Sequence, residues 1–172
     1  MLSIDLILAA IALLALSGLP ACGLSARSAA GQRVTASLML IGSLLGLGGV
    51  AAALGAAGAP ALRTPWWLPW GQFAVEVDAL SAAFLLPGFV VPALGSIYGL
   101  GYWKQSEHPA NGRRLGLSYG GLAGSMALLV VARDGVLFLI AWEVMALAAW
   151  LAATVEDDEA EVRRAGWIYL IA

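Results

Sequence analysis

Long charge-free intervals alternate with short charged ones along this chain. Leu6 to Ala26, Val34 to Leu62, Ala79 to Trp103 and Leu115 to Ala132 each run for 18 or more residues without Asp, Glu, Lys or Arg. A helix of about 20 residues crosses the roughly 30 Å hydrocarbon core of a bilayer, so each interval predicts one transmembrane helix. A fifth apolar stretch, Gly135 to Val155, carries a single ionisable residue, Glu143, near its middle. The pattern places helices at about 2–24, 34–59, 79–103, 115–132 and 135–155, and a sixth starting at 165–172. The predicted fold class is all-α integral membrane, with five complete transmembrane helices plus the start of a sixth. Eight helical residues cover only about 12 Å. The chain is therefore expected to be the N-terminal fragment of a longer protein.

Composition agrees with the pattern. Hydrophobic residues make up 61% of the chain and charged residues 12%, with a mean hydropathy of +0.87; soluble domains carry about 25% charge. The net charge of −2 and the lack of a basic run point away from nucleic acid. The single cysteine, Cys22, forms no intramolecular disulfide and no cluster motif. The run Leu19, Pro20, Ala21, Cys22, Gly23 loosely resembles a lipoprotein signal. Secretory signals open with a positive region, whereas here Asp5 comes first and the first basic residue is Arg27. Leu6 to Leu24 is read as a retained helix.

Orientation follows from the basic residues, whose bias in short loops sets which side faces the cytoplasm. With the N-terminus outside, Arg27, Arg33, Lys104, Arg113, Arg114, Arg163 and Arg164 lie inside, and only Arg63 and Arg133 lie outside. The outer loop 60–78 holds Trp66, Trp67 and Trp70 among Pro60, Pro65 and Pro69, a non-helical connection at the aromatic belt. Within it Phe73, Val75 and Val77 alternate with Ala74, Glu76 and Asp78, the period of a short strand with one wet face. Asp78 or Ser81 is placed to cap the next helix. Glycines four apart (Gly42 and Gly46, Gly95 and Gly99, then Gly116, Gly120 and Gly124) predict close helix packing, and Pro87 and Pro92 predict a kink.

Glu143 is the candidate functional residue. A carboxylate at the bilayer centre costs roughly 2.5–3.5 kcal/mol on insertion scales, so such groups face a protein interior or a water-filled path and handle ions or protons. The apolar intervals contain no Lys, Arg or His, and Arg133 lies about 15 Å away if both share one helix. The counter-charge must come from elsewhere, or the group stays neutral. Two weaker candidates for proton access are His108, in the loop after the third helix, and Asp78. Each has a plainer reading, as an exposed loop histidine and as a helix cap. The run Glu156 to Glu161 reads as a solvated loop, with Glu159 and Arg163 at helical spacing.

The segments Phe73 to Phe84, Tyr98 to Tyr102, Leu137 to Leu147 with Trp142, Glu143, Met145 and Leu147 in the pattern Trp-Glu-x-Met-x-Leu, and Ala165 to Leu170 occur in an order that resembles the antiporter-like proton-translocating subunits of respiratory complexes. The branch most similar is hydrogenase-4 component B and formate hydrogenlyase subunit 3. Complex I antiporter-like subunits and the D subunit of multisubunit sodium/proton antiporters are related. The resemblance implies an N-terminal part of an antiporter-like helical bundle. Residues 1–112 would hold three N-terminal helices, and 113–172 the start of the first five-helix inverted repeat. It also implies that the glutamate matching Glu143 pairs with a lysine on a later, broken helix to relay protons. Iron-sulfur clusters, and nickel-iron or flavin, would reside in partner subunits and none in this chain. The expected partners are other membrane and peripheral subunits, the lipid bilayer, and protons or sodium. The expected location is a bacterial or archaeal cytoplasmic (inner) membrane. A non-conducting scaffold is the alternative from a different class.

Overall fold

The computed structural model describes residues 2–171 as a mostly helical bundle. Its elements are α1 (Leu2–Leu16), α2 (Leu19–Cys22), α3 (Ala30–Leu54), β1 (Ala61–Thr64), β2 (Phe73–Glu76), α4 (Ala79–Tyr102), α5 (Gly112–Val131), α6 (Gly135–Ala153) and α7 (Ala160–Ile171). Five stretches are long and apolar enough to cross a membrane: Leu2–Cys22, Ala30–Leu54, Ala79–Tyr102, Gly112–Val131 and Gly135–Ala153.

Several boundaries differ from the hydrophobic pattern, each for a local reason. The first span is two helices, because Pro20 lacks an N–H and its ring collides with the carbonyl four residues earlier, at Leu16. At the end of α1 the Ser17 hydroxyl and N–H both donate to the Leu14 carbonyl, at 2.8 and 3.2 Å. The second span starts and ends about one turn earlier than 34–59. Ala30 to Arg33 add a first helical turn ahead of the apolar run, and the segment Gly55 to Gly58 before Pro60 ends it. α4 continues as one helix through Pro87 and Pro92. α7 begins at Ala160, within what reads as an acidic loop.

Loop 60–78 is more ordered than a connection between helices requires. β1 and β2 pair antiparallel, with Ala61 opposite Glu76 and Thr64 opposite Phe73. The strand expected at 73–78 is present, but its two faces are not one wet and one dry: Ala74 and Val75 are both buried, because Val75 also bridges to Ala132 after α5. Arg133 N–H donates to the Ala74 carbonyl at 2.8 Å. This small sheet departs from a purely helical fold and ties together the ends of α3, α4, α5 and α6 that meet at loop 60–78. The turn needs Gly71, whose φ of 73° disfavours side chains; a Cβ there would also press on Asp134.

The core lies among α1, α3, α4 and α5. Phe89 of α4, Met39 and Val50 of α3, Ile7 and Leu14 of α1 and Val131 of α5 are fully buried. Burying apolar groups among apolar lipid tails supplies little drive, so contact quality must hold helices together. Close approach is made by small residues: Phe89 fills the space a Cβ on Gly46 would take, and Gly124 lies against the backbone of Ala15. Gly99 has open space where its Cβ would be, so the glycines predicted together for packing do not act alike.

Gly124→Ala is expected to force α1 and α5 apart and to lower stability by about 1–3 kcal/mol, as overpacking does. Gly99→Ala is expected to be neutral or stabilising by up to about 1 kcal/mol, through helix propensity. Thermal unfolding of the two variants of the full-length protein in detergent checks this. Equal melting temperatures would contradict the packing described.

Candidate functional site

Glu143 is the ninth of the 19 residues of α6, about 12 Å from the helix start. Leu137, Ala141 and Ala148 are the buried residues of this helix and mark its seam against α5. Glu143 stands two residues from Ala141, about 200° around the helix, so it faces away from that seam. It is exposed, in a stripe with Leu139, Ile140 and Leu147, which are 61%, 41% and 49% exposed. Only 17% of the α6 span is buried within the structure, against 44% for Leu2–Cys22. Among the described residues no ion pair or side-chain hydrogen bond involves Glu143.

Arg133 is not available to it. This arginine precedes α6 and is held at the start of α4 by Asp78, with Nη2 to Oδ2 at 2.9 Å. The same nitrogen donates to Ser81 Oγ at 2.8 Å, and Ser81 Oγ donates to the Val130 carbonyl at 3.2 Å. Asp78 is the N-cap of α4 and accepts from Ser81 N–H at 2.7 Å. That bond first, then the Ser81 hydroxyl and Arg133, holds the Asp78 carboxyl below its usual range. Asp78 is thus tied into a cap and ion pair. Asp134 does the same for α6, accepting from Val136 and Leu137 N–H at 2.9 and 3.2 Å. Its other oxygen takes Gln72 N–H at 3.2 Å.

His108 is half-buried rather than fully exposed. Its ring stacks on Trp103, with centroids 3.9 Å apart, and Nδ1 lies 3.2 Å from the Lys104 carbonyl. It is remote in the fold from Asp78, which sits at the opposite ends of the helices, so the three candidates do not form one constellation. The acidic run is also more than a solvated loop. Asp157 pairs with Arg114 at 2.5 Å, and that contact holds its carboxyl below the usual range. Arg163 donates to the carbonyls of Asp157 and Asp158 at 2.6 and 2.8 Å rather than pairing with Glu159.

A polar clasp on this side escapes the hydrophobic pattern. Gln32 Nε2 donates to the carbonyls of Gly99 and Trp103 at 2.7 and 2.8 Å, and its Oε1 accepts Gln105 N–H at 3.0 Å. Its amide takes up the Trp103 carbonyl beyond the last turn of α4 and shares the Gly99 carbonyl with the Trp103 N–H. Gln32 stands just before the apolar run that begins at Val34, so nothing in the run's periodicity marks it. Among the described residues no group of three or more His, Cys, Asp and Glu side chains gathers as a metal site.

For Asp78 the folded-state pKa is lowered. Its contribution to stability is therefore present above the unfolded value near 3.9 and is lost as pH falls through the lower folded value. Asp78→Asn keeps a capping side chain and removes the ion pair. The melting temperature of this variant is expected to lie below that of the parent at pH 7 and to converge on it below about pH 4. A gap that persists in acid would remove Asp78 as its source.

No family model matches the chain. Among curated proteins it is similar to NADH-quinone oxidoreductase subunit L from two strains of Mycobacterium tuberculosis, each 39% identical over 89 residues. The match covers 49% of this chain and 14% of each relative. The chain thus spans only a small part of the length of the relatives it matches. A distant, partial similarity to subunit L therefore accompanies a helical chain with five stretches able to cross a membrane.

Proposed function

We propose that this chain belongs to an antiporter-like, proton-translocating membrane subunit of a multisubunit oxidoreductase, with Glu143 as the proton relay. The observation that carries the reading is a carboxylate half-way along a span, on the face turned away from the α5 seam and with no protein partner among the described residues. Bare lipid against that face would cost several kcal/mol. Protein or a water-filled path covers it, and a group there can alternate between a protonated and an ion-paired state. The similarity to NADH-quinone oxidoreductase subunit L supports the same reading.

The finer assignment rests on different grounds. The Trp-Glu-x-Met-x-Leu pattern around Glu143 resembles the hydrogenase-4 and formate hydrogenlyase branch, whereas the curated relatives are of NADH-quinone oxidoreductase type. The reading common to both is that redox chemistry, with its clusters and nickel-iron or flavin, sits in partner subunits and that this chain moves protons. We place the N-terminus outside a bacterial or archaeal cytoplasmic membrane. In support, the loops bearing Arg27, Lys104, Arg113 and Arg114 share one end of the bundle. Gln105 reaches the Ala26 carbonyl at 3.4 Å, Arg113 the Cys22 carbonyl at 3.4 Å and Arg114 Asp157.

Glu143→Gln in the full-length protein within its native membrane is expected to reduce proton translocation to background while the subunit still assembles with its partners. Proton uptake by vesicles, read beside subunit content, tests it. Transport unchanged by the substitution would leave a scaffold that conducts nothing as the better reading.

A further inference from the structure

One face of α4 carries Phe84, Gly88, Val91, Gly95, Gly99 and Tyr102, and one face of α5 carries Gly112, Gly116, Tyr119, Leu122, Met126 and Val130. Steps of three and four residues place each set on a single helical stripe. The two stripes line two grooves, one of about 280 Å³ backed by Thr35 and Ala36 of α3 and one of about 360 Å³ walled by α4 and α5 alone. Both are mostly apolar and open on one side, since Phe84, Val91 and Tyr102 on their walls are 59%, 62% and 70% exposed. They meet end to end at Tyr119, which borders both. Its hydroxyl donates to the Pro92 carbonyl at 3.3 Å, in space that a Cβ on Gly95 would take. From Phe84 to Tyr102 this valley follows about 27 Å of helix, close to the roughly 30 Å depth of a hydrocarbon core. The contact of Tyr119 with Pro92 falls near its middle, leaving one groove to each half.

We infer that the valley between α4 and α5 is a phospholipid site, with an acyl chain in each groove and the phosphate of the lipid in the first groove beside Arg33 and Lys104. Space left unfilled against apolar walls forfeits dispersion contacts. A helix with its side chains is about 10–12 Å across, too wide to enter slots of this volume, whereas a single polymethylene chain is thin enough and matches the walls. Gly88 and Gly99 deepen the slots: each lines one of them, and a Cβ on either meets nothing within 4 Å. Charge at the mouth of the first groove fits a phosphate. Arg33 and Lys104 directly follow the lining residues Gln32 and Trp103, and Arg33 is exposed and in no ion pair among the described residues. Glu107, which pairs with Lys104, is the one acid between α4 and α5. The acidic run 156–161 stands on the α6 side of α5, where Asp157 pairs with Arg114. The inference does not depend on the proposed proton relay, because Glu143 is on α6.

A side chain that reacts with whatever it touches tests this. In the full-length protein in its native membrane, Leu115 of the first groove or Met126 of the second is replaced by a diazirine amino acid of similar size. Adducts formed on illumination are identified by mass and counted per subunit recovered. Adducts of phospholipid mass are expected at both positions. Gly88→Leu, which fills the second groove, is expected to abolish the adduct at position 126 and spare that at 115, and Gly99→Leu to do the reverse. Gly101→Leu, at an equally open glycine of α4 outside both grooves, is expected to change neither. Arg33→Gln is expected to lower the yield at 115 alone; an unchanged yield there would remove the phosphate from the mouth. Polypeptide adducts would mean that another helix covers the valley, and water adducts alone that no lipid fills it; either result overturns the site. Phospholipid adducts undiminished by Gly88→Leu and Gly99→Leu would overturn it too, since the lipid would then pass the grooves without entering them.

Discussion

Inside hydrocarbon, a polar group finds its partner within the protein or not at all, and most of this structure follows from that constraint. Helices meet it for the backbone by pairing each N–H with a carbonyl of the same segment. Their ends cannot, and it is there that the polar side chains of this chain gather. Asp78 and Asp134 take up free amides at the starts of α4 and α6. Gln32 takes up the Trp103 carbonyl at the end of α4, reaching 71 residues along the chain to do so. Ser17, fully buried, turns its own hydroxyl back onto the Leu14 carbonyl at the end of α1. Such a bond counts for most at a buried position like this one, where the alternative is an unpaired group away from water.

Packing obeys the same medium. Lipid tails are as apolar as leucine, so the bundle is held by backbones brought close and side chains fitted into the space left by small residues. Gly46 beneath Phe89 and Gly124 against Ala15 are the clearest cases. α6 is the exception, because its buried residues form a single seam against α5 and its remaining surface is turned outward. A stripe of Leu139, Ile140 and Leu147 alone would suit lipid; Glu143 within it does not. The residue that breaks the rule of internal pairing is the one for which a transport role is proposed, consistent with local rules giving way where function requires it.

The two faces of the bundle are organised differently. On one, the β1–β2 pair, Arg133 and Asp78 form a tight lattice of backbone and ion-pair contacts that locks the helix ends. On the other, the segments after α2, α4 and α6 are joined to α5 and to one another through Gln105, Arg113 and Arg114.

The spans were legible in the sequence because a run of apolar residues in a membrane permits few backbone solutions, and the helix is the simplest. Glu143 stood out for the same reason, as did Asp78, whose place before an apolar run is that of a cap. The β1 strand, the Arg133–Asp78 and Arg114–Asp157 pairs and the Gln32 clasp were not legible. Each joins residues 9 to 73 positions apart, and hydrophobic periodicity reports only on neighbours within a turn or two. Nor could the sequence tell which glycines support a neighbouring helix, or that Glu143 turns away from α5. Apolar surface is equally content against lipid or protein, so which face of a helix meets which neighbour is decided only when the helices are assembled.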